Sequence, residues 1–109
     1  MAYVKSMTTT ALFEILAEPT RRRVLDLLRE QEQTVGELVD ELDMSQPAVS
    51  KHLRVLRDAG LVEARVDAQR RVYSLRAEPL AEVDAWLTPY RKFWRGRLAS
   101  LTRHLAADN

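Results

Sequence analysis

Apolar residues recur at helical spacing along most of this chain, interrupted once by a stretch with the spacing of strands. Leu12, Phe13, Ile15 and Leu16 form a short apolar helix that stops near Pro19. The segment EPTRRRVLDLLRE restarts with Pro19 at an early helical position, where its missing N–H costs nothing. Val24, Leu25, Leu27 and Leu28 then repeat along one face. In TVGELVDEL, Thr34 and Glu37 stand at capping-box spacing ahead of Val35, Leu38, Val39 and Leu42. After Asp43-Met44, Ser45 is placed as the N-cap of a helix over about 45–59, and Gly60 follows at the position that favours a left-handed residue.

The period then changes from helical to alternating. Leu61, Val62, Ala64 and Val66, then Val72, Tyr73 and Leu75, flank the polar tip Asp67-Ala68-Gln69-Arg70, and predict a β-hairpin over about 61–76. From Pro79 the helical pattern returns through Leu80, Val83, Trp86, Leu87, Tyr90, Phe93, Trp94, Leu98, Leu101 and Leu105, a helix over about 79–106. Thr88-Pro89 interrupts it; an interior proline removes a helical hydrogen bond, so the expectation is a kink or a new helix capped by Thr88. Residues 1–9 show no sustained period and are expected to be a flexible arm before a single domain over 10–109. Two helices joined through Asp43-Met44, followed directly by a hairpin, make a winged helix-turn-helix.

The helix opened by Ser45 has more polar surface than a small core needs. At about 100° per residue, with Val49 at zero, Leu53 falls at about 40° and Leu56 at about 340°. His52, at about 300°, sits at the edge of that core side, where a structural or capping role fits better than metal ligation. Pro47, Ser50, Lys51 and Arg54 share the opposite side, with Gln46 on its shoulder and Ser45 at the helix start. Gln, Ser, Lys and Arg supply donors suited to phosphates and to the acceptor-rich edges of bases in a major groove. A solvated face is the plain alternative, but such faces usually mix charges at i, i+4. Here the hairpin adds Arg65 on its first strand and Arg70 and Arg71 near its tip. Two basic elements beside one another predict a DNA-binding surface made of Ser45, Gln46, Pro47, Ser50, Lys51, Arg54, Arg65, Arg70 and Arg71.

Overall charge adds little: 17 Lys and Arg against 16 Asp and Glu give +1. Its distribution says more. The stretch from Glu30 to Asp43 is acidic and holds no Lys or Arg, whereas the stretch from Ser45 to Arg76 is basic. With no cysteine in 109 residues, disulfides, thiolate metal sites and thiol nucleophiles are excluded. No apolar run approaches a membrane span and no hydrophobic signal region appears, so a cytoplasmic protein without membrane association is expected.

EPTRRRVLDLL, then SQPAVSKHLRVLRDAGLV, then the arginine-bearing RRVYSL, in that order and spacing, resemble the ArsR-type (ArsR/SmtB) winged-helix repressors of bacteria over about residues 10–105. The resemblance implies a mainly α fold with a small β-hairpin wing, and a homodimer that binds an inverted-repeat operator on double-stranded DNA and represses its own operon. It makes the 45–59 helix the recognition helix. By position, Gln46, Ser50, Lys51 and Arg54 would face DNA, and Arg70 and Arg71 would reach toward phosphates or the minor groove. Metal-sensing members carry Cys-x-Cys before the recognition helix; Thr34 and Gly36 stand there in this chain. Their other site uses Asp-x-His and His-x-x-Glu, against which Asp84-Ala85-Trp86 lacks the His and His104 is followed three residues on by Ala107. Neither a metal site nor a cofactor is therefore expected, and no small-molecule effector is legible.

The last helix is apolar over a wider arc than a small winged domain can cover, and reads as needing a partner. A two-fold interface between copies is expected from Leu12, Phe13 and Leu16, with Leu80, Val83, Trp86, Leu87, Tyr90, Trp94, Leu98 and Leu101. The basic residues Arg91, Lys92, Arg95 and Arg97 on its polar side read as solvated or paired with the acidic 30–43 segment. A protein-interaction module would show an apolar or acidic face where this one is basic. An enzyme lacks support: there is no glycine-rich phosphate loop, and no His stands with a plausible nucleophile.

Overall fold

The computed structural model describes residues 8–107. Residues 1–7 of the expected arm lie outside the described residues, while Thr9 begins the first helix. Thr8 caps α1 (Thr9–Leu16), its hydroxyl accepting from the Ala11 amide at 3.0 Å. Glu18 caps α2 (Pro19–Glu30), with Pro19 in the first turn as expected. α2 also closes the helix before it, since the Arg22 guanidinium donates to the Leu16 and Ala17 carbonyls at 2.8 and 3.1 Å. A cation on the free carbonyls of a helix C-terminus satisfies both their hydrogen bonding and their partial charge.

The chain then extends into β1 (Gln33–Thr34), a two-residue strand too short to announce itself by any period. Thr34 is also the cap of α3 (Val35–Leu42), where both halves of the expected capping box are present. Asp43, in the left-handed region at φ 54°, ends α3 and turns the chain. Ser45 then caps α4 (Gln46–Asp58), accepting from the Ala48 amide at 3.3 Å. α4 closes at Gly60, φ 77°, with Gly60 N–H donating to Arg57 C=O and Leu61 N–H to Leu56 C=O. That pair of bonds is the Schellman closure, for which glycine is the least strained residue.

β2 (Val62–Asp67) and β3 (Arg70–Leu75) form the wing, paired antiparallel from Val62↔Leu75 to Asp67↔Arg70. The sheet is not a bare hairpin. β1 pairs with β3 through Gln33↔Tyr73 and Thr34↔Val72, giving the order β1-β3-β2. This added strand ties the root of the wing to the start of α3. A short 3-10 turn (Glu78–Leu80) leads into α5 (Ala81–Ala107).

One core joins these elements. Leu12 of α1, Val24, Leu25 and Leu28 of α2, Leu38 and Leu42 of α3, and Val49, Leu53 and Leu56 of α4 are buried together with Leu61, Val62 and Tyr73. This removes Leu12 from the expected subunit interface: at 2 % exposure it is already used by its own protomer. Leu16, Leu80 and Val83 are half-buried against the same core. Beyond Leu87, α5 runs out from the domain, and the radius of gyration of 18.5 Å exceeds the roughly 13 Å of a compact chain this long.

α5 passes through Pro89 as one helix, so the expected new helix at Thr88 does not form. Proline removes the donor that would serve the Ala85 carbonyl and crowds that carbonyl with its ring. The Thr88 hydroxyl, instead of capping, donates back to the Asp84 carbonyl at 3.2 Å. Arg91 pairs with Asp84 on the same helix, and the Arg97 guanidinium lies 4.8 Å over the Phe93 ring. Both basic side chains thus find partners on α5 itself, not in the acidic 30–43 segment.

The wing turn sets Ala68 at φ 59°, a region in which a Cβ costs about 1–2 kcal/mol. Ala68→Gly should relieve it and, after the extra freedom glycine gains when unfolded, raise stability by about 0.5–1 kcal/mol. Urea denaturation followed by circular dichroism reads this directly; an unchanged or lower midpoint would contradict the strained turn.

Candidate nucleic-acid interface

Burial of Val49, Leu53 and Leu56 fixes the rotation of α4, so its other side is turned outward. Gln46, Ser50, Arg54 and Arg57 then fall in line at spacings of four, four and three residues, the repeat of one helix face. Opposite them, β3 contributes Arg70, Arg71 and Tyr73, and the start of α3 contributes Thr34, Val35 and Gly36. Together they enclose a cleft of about 570 Å³.

The cleft is rich in cations and lined by no acid. Arg70 lies 3.7 Å from Asp67 across the wing turn. Among the described residues no carboxylate comes within ion-pair distance of Arg54, Arg57 or Arg71. An unpaired, exposed guanidinium is a ready partner for phosphate, whose geometry it matches with two parallel donors. Among the described residues no group of three or more His, Asp or Glu is placed to hold a metal ion.

The structure thus brings Gln46, Ser50, Arg54, Arg70 and Arg71 of the expected surface together. Lys51 is exposed one step around α4 from the cleft wall, and Ser45 and Pro47 are exposed at the helix start. Ser45 is occupied as the cap. Arg65 departs from the expectation: its guanidinium makes two bonds, 3.0 and 2.7 Å, to the Glu32 carboxylate and does not line the cleft. Counting charge along the chain does not reveal this, because Glu32 lies far away in sequence and is brought over by β1. Arg57 joins the site without having been expected there, although its spacing from Gln46, Ser50 and Arg54 is a legible signal. Thr34, Val35, Gly36 and Tyr73 reach the cleft only through the three-stranded sheet.

Two further groups are perturbed by their surroundings near α4. Glu18 is partly desolvated, which pulls its carboxyl upward, but bonds from the Thr20 and Arg21 amides and the charges of His52 and Arg21 hold it below the usual range. The His52 Nδ1 atom is buried and has no hydrogen-bond partner among the described residues.

Residues 18–64 match the family described as bacterial regulatory protein, arsR family. The chain is 43 % identical over 96 residues, 88 % of this chain and 87 % of the relative, to the HTH-type transcriptional regulator Rv2034 of Mycobacterium tuberculosis. It is 37 % identical over 102 residues, 94 % of this chain and 70 % of the relative, to a probable mercury resistance operon repressor of Streptomyces lividans. Among solved structures, an ArsR-like transcriptional regulator from Rhodococcus sp. RHA1 superposes with a TM-score of 0.66 at 28 % identity, covering 86 % of this chain and 89 % of that one.

The Arg65–Glu32 pair has a measurable signature. The hydrogen bond from Arg65, opposed by partial desolvation and aided by the Arg65 charge, lowers the Glu32 carboxyl below its ordinary value. A lowered carboxyl stabilises the fold above its unfolded value, and this contribution fades as pH falls through the folded value. Both side chains are about half exposed, so the contribution is small. We expect Glu32 to titrate below an ordinary glutamate by carbon-detected NMR and to return toward it in Arg65→Gln. An ordinary Glu32 in the native protein would show that Arg65 is free for other partners.

Proposed function

Because this chain belongs to the arsR family of bacterial regulatory proteins, and is thus a transcriptional regulator and not an enzyme, we propose that it acts as a homodimeric repressor of its own operon. It reads an inverted-repeat operator through α4 and the wing. The observation that carries this reading is the convergence of Arg54, Arg57, Arg70 and Arg71 on one acid-free cleft beside an exposed helix face. A major groove about 12 Å wide admits one such helix, with the wing arginines left to reach the flanking backbone.

A homodimer is supported by α5. Trp86, Tyr90, Phe93, Trp94, Leu98, Leu101 and Leu105 are each 46–62 % exposed and recur at three- and four-residue steps along one side. That is a longer apolar stripe than a lone soluble domain usually leaves open. Phe13 of α1 joins it, with its ring 5.3 Å from Trp86 in an edge-on contact. Leu16, Leu80, Val83 and Leu87 lie half-buried where the stripe meets the domain. A second copy packed on this stripe by two-fold symmetry covers both and sets two α4 helices on one side of a duplex. The two half-sites would then stand about one helical turn, or a multiple of it, apart.

The relative from Streptomyces lividans is a probable mercury resistance operon repressor, yet this chain has no cysteine. Thr34 and Gly36 hold the positions at which the resemblance places thiolates, and Thr34 is engaged in its capping box. We therefore assign this protein no metal-sensing role.

With duplex from upstream of its own gene, fluorescence anisotropy should show tight binding that weakens steeply with salt. Replacing both Lys51 and Arg54 with Ala should weaken it at least about tenfold with the circular dichroism spectrum intact. Light scattering should give two protomers per duplex. Equal affinity of the variant, or a folded monomer on the DNA, would overturn the proposal.

A further inference from the structure

Three features of the cleft are unexplained by the protomer's own packing. Gly36 lies in the first turn of α3, where alanine is the better helix former. It needs no left-handed backbone, and a Cβ placed on it would meet only the Thr34 hydroxyl, at 3.9 Å. Neither strain nor crowding within the protein calls for glycine there. Tyr73 is only 7 % exposed and packs with the core, yet it lines the cleft. Its hydroxyl makes no hydrogen bond among the described residues and is not sealed from solvent. Arg57 stands on the last turn of α4, beside the same cleft, without an acid partner among the described residues.

We propose that these three residues form a seat for one phosphate group, deeper than the exposed face of α4. Gly36 permits the close approach of the phosphate to the backbone of α3, Tyr73 donates its hydroxyl, and Arg57 supplies charge. The occupant is a backbone phosphodiester of duplex DNA, so the inference rests on the DNA-binding reading above. A bare helix surface meets phosphates from outside. Here β1 holds the start of α3 beside β3, so that the wing and both helices of the helix-turn-helix converge on a single anion. Glycine serves at such places because a methyl group would occupy the volume the ligand's oxygens need. A hydroxyl with no internal partner stays available to donate, at no cost to the free protein.

Tyr73→Phe and Gly36→Ala test this, because neither alters charge and neither removes an internal contact. Each should bind duplex from upstream of the gene about fivefold or more weakly, the scale of a lost hydrogen bond or a blocked approach, with a thermal midpoint equal to or above that of the native protein. Arg57→Gln should weaken binding and reduce the salt dependence by about one phosphate contact. Inorganic pyrophosphate, titrated at constant ionic strength, separates the sources of phosphate. If duplex alone shifts the Gly36 amide resonance, the seat is built for the DNA backbone; if pyrophosphate also shifts it in native protein but not in Tyr73→Phe, the seat takes free phosphate as well. Native protein that binds duplex while Tyr73→Phe and Gly36→Ala bind within twofold of it overturns the seat and leaves the DNA-binding reading standing. Native protein that binds no duplex overturns both.

Discussion

The rotation of α4 about its own axis is the constraint on which the rest depends. Val49, Leu53 and Leu56 are at most 1 % exposed, and burying each fully is worth roughly 1.5–3 kcal/mol. Turning the helix by one residue, about 100°, would put those side chains in water and Arg54 in the core. Desolvating a guanidinium without a partner costs several kcal/mol more. No alternative rotation competes, so the face bearing Gln46, Ser50, Arg54 and Arg57 is held outward by the apolar face behind it. Ser45 and Gly60 close the two ends, and the Schellman bonds at Gly60 aim the chain directly into the wing.

Charge is then arranged by what the sheet brings near α4. β1 is only two residues long, but it has two consequences. Its pairing with β3 places Thr34, Val35 and Gly36 across from Arg70, Arg71 and Tyr73, which turns a helix face into a cleft. It also carries Glu32 to Arg65, which neutralises one cation of the wing and leaves the others concentrated on the cleft side. The wing is thus basic toward the reading face and paired on the first strand. α5 carries its exposed aromatic stripe away from the cleft and contributes no residue to the cleft's lining.

Most of this architecture is legible in local patterns of the sequence. The capping box at Thr34 and Glu37, the cap at Ser45, Gly60 and the alternation in 61–76 each act over a few residues, and each appears where the pattern puts it. What is illegible depends on contacts distant in the chain. β1 has too few residues to show a period, and the third strand, the Glu32 pair and half of the cleft wall all follow from it. Leu12 sits on a short apolar helix, and nothing local distinguishes a side chain facing its own core from one facing a copy. Pro89 has a real local effect, yet the surrounding helix continues past the loss of one donor. Arg57 alone is within reach of the sequence, being in step with Gln46, Ser50 and Arg54.

Whether α4 and the wing are the surfaces that meet DNA is decided by backbone amide hydrogen exchange, compared with and without operator duplex. Slowed exchange is expected at 34–36, in the first turns of α4 and around Arg70 and Arg71, with the α2 amides unchanged. Protection spread over α2 or confined to α5, with none at α4 and the wing, would contradict it.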